Sequence, residues 1–173
     1  MTPLTIRAEE PGDEGAIFAL TRAAFHEAPH ADGDEAELVE RLRDSGDLTL
    51  SLVALNTDRA IIGHIAFSPC TIRSGTDASR PGEWFQLAPV SVIPLRQKTG
   101  IGRALIEEGL ARMHGRGALG IPLVGDPEYY RRFGFSRDHG LTLDAELDPY
   151  LQVRLLNGET MPEGKLTLAP AFD

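Results

Sequence analysis

At 173 residues, 42% apolar and 25% charged, the chain has the composition of a folded globular protein of one-domain size, not of a disordered one. No apolar run approaches the ~20 residues that cross a bilayer, and the start, Met1 to Arg7, lacks the basic and then apolar order of a secretory signal. The net charge of −9 disfavours nucleic acid and anionic membrane as partners.

Leu4 to Arg7 reads as a first strand. Pro11-Gly-Asp13 is a turn with Asp13 as helix N-cap, and Ile17, Leu20, Thr21 and Ala24 follow at helical spacing. Gly33-Asp34 precedes a second helix whose apolar side is Leu38, Val39 and Leu42. Leu48–Leu55 and Ala60–Ile72 read as a hairpin, and Arg73–Glu83 as a loop. Trp84–Ile93 is the next strand. Pro89 inside it has no N–H to give, which predicts an edge or a bulge. Gly100 to about Gly115 is a helix, with Ile101, Leu105, Ile106, Leu110 and Met113 on one face. Ala118–Val124 reads as a strand, Pro127–Phe133 as a short helix, and Gly134-Phe135 as the start of another strand. Leu151–Leu156 and Leu166–Leu168 close the series. Only the central units alternate strand and helix, so the fold class is mixed α/β, without βαβ repeats.

The central signal is Val90-Ser-Val-Ile-Pro-Leu-Arg-Gln-Lys-Thr-Gly-Ile-Gly-Arg-Ala-Leu105. A strand runs into a basic turn, and two glycines open a helix. The first N–H groups of a helix lack internal partners, and the helix dipole adds partial positive charge there. Gly100 and Gly102 let a diphosphate approach the backbone, and Arg96, Lys98 and Arg103 add three cations. On their own, the glycines also suit a merely tight turn. A Walker loop is excluded, because no Gly-Lys-Ser/Thr ends the motif. A dinucleotide fingerprint needs Gly or Ala where Leu105 stands.

Downstream stands Val124-Gly-Asp-Pro-Glu-Tyr-Tyr-Arg-Arg-Phe-Gly-Phe135. Together the two motifs resemble the GNAT superfamily of N-acetyltransferases, most closely a branch of small bacterial predicted acetyltransferases. Gln97-Lys-Thr-Gly100-Ile-Gly102 matches the signature Gln/Arg-x-x-Gly-x-Gly/Ala. Tyr130 stands four residues before the Gly134-Phe135 pair, as in the family. Ile62-Gly-His-Ile-Ala-Phe-Ser-Pro69 is similar to the branch's third strand. The resemblance is sharp from about 60 to 135, looser before and weak beyond 145. It implies a central, mostly antiparallel sheet flanked by helices. It also implies one domain over 1–173, with a core at 4–145 and C-terminal strands or an extension at 146–173.

The resemblance further implies acetyl-CoA as cosubstrate and acetyl transfer to a primary amine by direct attack in a ternary complex. The backbone of Val90 and Val92 would hold the pantetheine arm and polarise the thioester. Gln97, Lys98, Thr99, Gly100, Ile101, Gly102 and Arg103 would cradle the pyrophosphate, mainly through N–H groups. Tyr130 would be the general acid that protonates the departing thiolate, since a phenol is protonated at neutral pH. Tyr130 as a brace of its short helix is the plainer reading. The general base stays open among Glu83, His64 and water, and Gln86 cannot serve. Asp126 stands where many relatives carry Asn near the cofactor.

Acidic residues concentrate between Glu9 and Asp47, where twelve acids face three bases. Glu27, Asp32, Asp34, Glu35 and Glu37 lie where the family's acceptor side is lined. They suit a cationic amine, or simply a solvated helix face. The acceptor is a small-molecule or peptide amine, and a homodimer is compatible with such folds. No metal is expected, because His26 and His30 are not part of a Cys/His cluster at ligand spacing. Cys70, the single cysteine, reads as a small core residue and points to the cytoplasm. Of three rival readings, Tyr130 argues against a non-catalytic acetyl-CoA sensor of the same fold and the charge of −9 against a transferase acting on aminoacyl-tRNA, while one acting on protein N-termini or lysines stays open.

Overall fold

The computed structural model describes residues 4–26, 28 and 31–173. Glu27 and His30 lie outside the described residues. The chain forms two compact units. Unit 1 holds residues up to Phe67, then Ala88–Gly109 and Ala171–Asp173; unit 2 holds Ser68–Leu87 and Leu110–Pro170.

Unit 1 begins with strand β1 (Thr5–Ala8), helix α1 (Glu14–Phe25) and helix α2 (Glu35–Ser45). Asp13 stands at the N-cap of α1, but its side chain does not cap the helix. Its carboxylate instead accepts from the Glu10 N–H at 2.7 Å and from both terminal nitrogens of Arg7. The α2 helix ends at Gly46, whose left-handed φ of 83° closes the last turn. Strand β2 (Leu50–Leu55) pairs antiparallel with β1 and with β3 (Ile61–Pro69). Ile17, Val39, Val53 and Leu55 form an apolar cluster joining α1 and α2 to β2.

The reading of one strand from Ala60 to Ile72 does not hold. The chain breaks at Cys70, whose N–H donates to the Trp84 carbonyl, and a new strand, β4 (Thr71–Ser74), follows. The stretch read as a loop contains β5 (Asp77–Ala78), paired antiparallel with β4 around Gly75. Strand β6 (Phe85–Val92) is the end strand of the order β1-β2-β3-β6, where proline is tolerated in a sheet, and its Ala88–Pro89 peptide bond is cis.

Helix α3 (Ile101–Gly115) follows β6. In unit 1, its first turns pack on β3 at two glycines. A Cβ on Gly63 would come within 2.9 Å of Leu105, and one on Gly109 within 2.6 Å of the Phe67 ring. These contacts let helix and strand approach closely.

In unit 2, strand β7 (Gly120–Val124) leads to the short α4 (Pro127–Tyr130) and a 3-10 turn over Arg131–Phe133. Gly134-Phe135 does not start a strand. Gly134 is left-handed, at φ 83°, and the next strand, β8, is Gly140–Thr142. Strands β9 (Leu151–Leu155) and β10 (Glu163–Thr167) follow. β9 pairs antiparallel with β7, while β10 lies antiparallel to β4 and parallel to β8. Cys70, Ile72, Trp84, Leu141, Leu151, Val153 and Leu166 form the buried cluster of this unit. Among the described residues no helix is long and apolar enough to cross a membrane.

Candidate active site

Val90, Val92 and residues 97–103 all lie in unit 1; Tyr130 lies in unit 2. After Val92 the chain makes a 3-10 turn over Pro94–Arg96, then runs exposed through Gln97, Lys98, Thr99 and Gly100 into α3. The turn is braced from within. The Gln97 side chain donates to the Val92 carbonyl at 3.1 Å, and the Thr99 hydroxyl donates to the Arg96 carbonyl. Lys98 and Gly100 hold left-handed φ of 63° and 92°.

The Ala104 N–H reaches back to the Gly100 carbonyl. The N–H groups of Ile101, Gly102 and Arg103 therefore belong to the first turn, where a helix offers no carbonyl. These amides, the Lys98 charge and an open approach fit a diphosphate. Arg103 is less free than its sequence position implies, because its Nε donates to Glu107 at 2.9 Å one turn on. The pair is exposed on both sides and stabilises little. Val92 is buried and Val90 half-buried on β6.

In unit 2, Asp126 is the N-cap of α4, its Oδ1 accepting the Glu128 N–H at 2.9 Å. That bond explains an acid at this position. The Tyr130 ring is held by Phe135 at 5.8 Å and by Tyr129 at 4.9 Å between centroids. Gly125 beneath it leaves no room for a Cβ, which would stand 2.6 Å from the ring. Burial, with Tyr129 and Asp126 nearby, pushes the Tyr130 phenol well above its ordinary range, so it carries its proton throughout neutral pH. Tyr129 faces differently, packing on Phe133 and under the Arg132 guanidinium at 4.8 Å.

Strand β9 supplies residues that no sequence pattern singles out. The buried Gln152 side chain donates to the Gly125 and Tyr150 carbonyls, and Arg154 donates to the Phe133 carbonyl, fixing both ends of the segment that carries Tyr130.

Among the open candidates for the base, the Glu83 carboxylate accepts the Arg80 N–H in a local turn. Gln86 is buried, with its Oε1 unpartnered among the described residues. His64 is wholly buried within unit 1, and burial pushes its pKa down to about 4 against the pull of Glu9. Its Nε2 lies 2.8 Å from the Ser51 hydroxyl. Ser51 bonds to Glu9, and Glu9 holds Arg43 through two bonds of 2.9 Å. Among the described residues no three metal-ligating side chains come together.

The family model of the acetyltransferase (GNAT) domain matches residues 5–137. The chain belongs to the GNAT acetyltransferase family. Within that family it is 38% identical over 133 residues to uncharacterized N-acetyltransferase YhbS of Escherichia coli K12, covering 77% of this chain and 74% of that one. Among solved structures it resembles a GNAT acetyltransferase from Brucella melitensis in complex with acetyl-CoA, at 43% identity and TM-score 0.84 over 99% of both chains. It also resembles Escherichia coli YhbS in complex with CoA, at 32% identity and TM-score 0.86, over 99% of this chain and 93% of that one. The GNAT assignment thus rests on the whole length as well as on the two motifs.

Proposed function

We propose that residues 1–173 act as a single N-acetyltransferase domain in the cytoplasm, moving the acetyl group of acetyl-CoA to a primary amine by direct attack. The observation that carries this reading is the exposed turn Gln97–Gly100 opening α3 directly after β6. A relative 43% identical over nearly its whole length is solved with acetyl-CoA, which supports the same ligand here.

In this reading the backbone of Val90 and Val92 holds the pantetheine arm and polarises the thioester carbonyl. The amides of residues 97–103 take the pyrophosphate. The amine nitrogen attacks the carbonyl carbon, the C–S bond breaks, and the thiolate takes the Tyr130 proton. The raised phenol pKa supports an acid that is always loaded. A backbone donor aimed at the developing oxyanion is worth about 3–4 kcal/mol. The acceptor is a small-molecule or peptide amine. The acidic segment of Asp32, Asp34, Glu35 and Glu37 favours a cationic one.

Calorimetry with coenzyme A, followed by a thiol-release screen over polyamines, aminoglycosides, amino acids and peptides, tests the proposal. Uptake with turnover supports it. Uptake without turnover on any amine favours a sensor, and no uptake by folded protein removes the reading.

A further inference from the structure

Four side chains in unit 1 form one hydrogen-bonded chain: Arg43 on α2, Glu9 after β1, Ser51 on β2 and His64 on β3. Its proton positions follow from chemistry alone. Glu9, gripped by two nitrogens of Arg43, is ionised and can only accept. Ser51 lies 2.8 Å from Glu9 Oε1 and has one proton, so that proton goes to the carboxylate. The Ser51 oxygen must then accept from His64 Nε2, 2.8 Å away. His64 is thereby fixed as the Nε2–H tautomer, and its Nδ1 is a bare lone pair.

That lone pair is buried and finds no partner among the described residues. A second unpartnered buried atom in the same unit is the hydroxyl of Ser91, 2% exposed, on the neighbouring strand β6. The Ile93 N–H, just past the end of β6, donates to the Ile62 carbonyl at the beginning of β3. The end of one strand thus meets the start of the other, so the two run in opposite senses. Counting two residues inward from that bond on each strand sets Ser91 across from His64 in a regular antiparallel register. Directly opposed residues share a face, with Cβ atoms about 4.5–5.5 Å apart. A serine hydroxyl swings among three staggered wells at little cost.

We propose that Glu9, Ser51 and His64 form a relay that draws the Ser91 hydroxyl proton toward His64 Nδ1, making the Ser91 oxygen the group that accepts the proton shed by the attacking amine. This rests on the reading of Val90–Val92 as the acyl-transfer strand, since Ser91 lies between them. The step balances. The nitrogen forms its bond to the carbonyl carbon and becomes a strong acid. It gives a proton to Ser91 as Ser91 gives its own to His64 Nδ1, while the sulfur leaves with the Tyr130 proton. Proton exchange with solvent then restores the tyrosine and the neutral imidazole. Ser91 is the catalytic residue of this step; His64, Ser51 and Glu9 are positioning residues.

Two measurements on the full chain test the relay. Nitrogen-15 spectra of the labelled protein near neutral pH read the His64 tautomer. The expected signature is neutral Nε2–H. The Ser91→Ala change should move the Nδ1 resonance, and Ser51→Ala should lose the single tautomer that Ser51→Thr keeps. An Nδ1–H tautomer, or an Nδ1 resonance blind to Ser91→Ala, overturns the proposal. Acetyl-CoA turnover with hydroxylamine, a nucleophile small enough to need no acceptor pocket, reads the chemistry. The Ser91→Ala variant should lose about a hundredfold in kcat, the lower end of the range of general base catalysis, and keep its coenzyme A affinity by calorimetry. Unchanged kcat overturns the proposal, as does a parent protein that binds coenzyme A without acetylating hydroxylamine. Failure of the parent protein to bind coenzyme A would instead refute the transferase reading, with the tautomer result judged separately.

Discussion

Acidification should unfold this protein earlier than its carboxylates alone require, because of His64. The imidazole is wholly buried, and its pKa falls from 6.5 to about 4. A depressed folded-state pKa gives stability that is complete above the unfolded value and is lost as pH falls toward the folded one. The loss therefore begins near pH 6.5 and is complete near pH 4. Each pH unit in that window is worth about 1.4 kcal/mol, so the full loss is about 3 kcal/mol, of which roughly 2 is spent by pH 5. Glu9 also has a depressed pKa, from 4.5, held down by its bonds to Arg43 and Ser51 against its own burial. Its contribution fades only below that value, so the interval from about pH 7.5 to 5 isolates the histidine. The assay is urea unfolding followed by far-ultraviolet circular dichroism at both pH values, on the parent and on His64→Gln. The parent should lose about 2 kcal/mol more than the variant. Parallel losses in the two proteins would refute the argument.

Tyr130→Phe should keep coenzyme A affinity and lower turnover at least tenfold, while Tyr129→Phe, whose ring packs under Arg132, should change it far less; equal effects would remove the acid assignment. Gly100→Ala forces a side chain to φ 92°, and about 1–3 kcal/mol of strain should appear as weakened coenzyme A binding in calorimetry. Gly109→Ala drives a methyl to within 2.6 Å of the Phe67 ring, which should cost about 1–3 kcal/mol in urea unfolding with little change in turnover per folded molecule. Gln152→Leu removes the donor to the Gly125 carbonyl; loss of a hydrogen bond to a buried group of this kind should lower stability by about 1–3 kcal/mol, read as a lower urea midpoint.

The elements legible in the sequence were those written in local patterns. Leu105, Ile106, Leu110 and Met113 repeat at helical spacing because one face of α3 is buried, and all four are. The exposed turn before α3 could be read because its glycines, its cations and the helix they open are consecutive. What escaped depends on contacts across the chain. Glu9 meets Arg43 34 residues away and Ser51 42 residues away, and nothing near Glu9 announces either. His64 stayed one of several open candidates for the base, because its hydrogen-bond partner among the described residues, Ser51, is supplied by another strand. The β4–β5 hairpin was hidden in a polar stretch that resembles a loop, since its strands are short and mostly exposed. Gln152 and Arg154 sit in a strand that looks merely apolar, and their role appears only where β9 passes the α4 segment.

The single tryptophan, Trp84, is a buried member of the unit 2 cluster, set against Gly120 with no space for a Cβ between them. Its emission is therefore a private reporter of one half of the molecule, while circular dichroism averages over both. Recording the two signals in the same titration shows whether the halves come apart in a single event or in succession. It also shows in which half an inactivating substitution has done its damage.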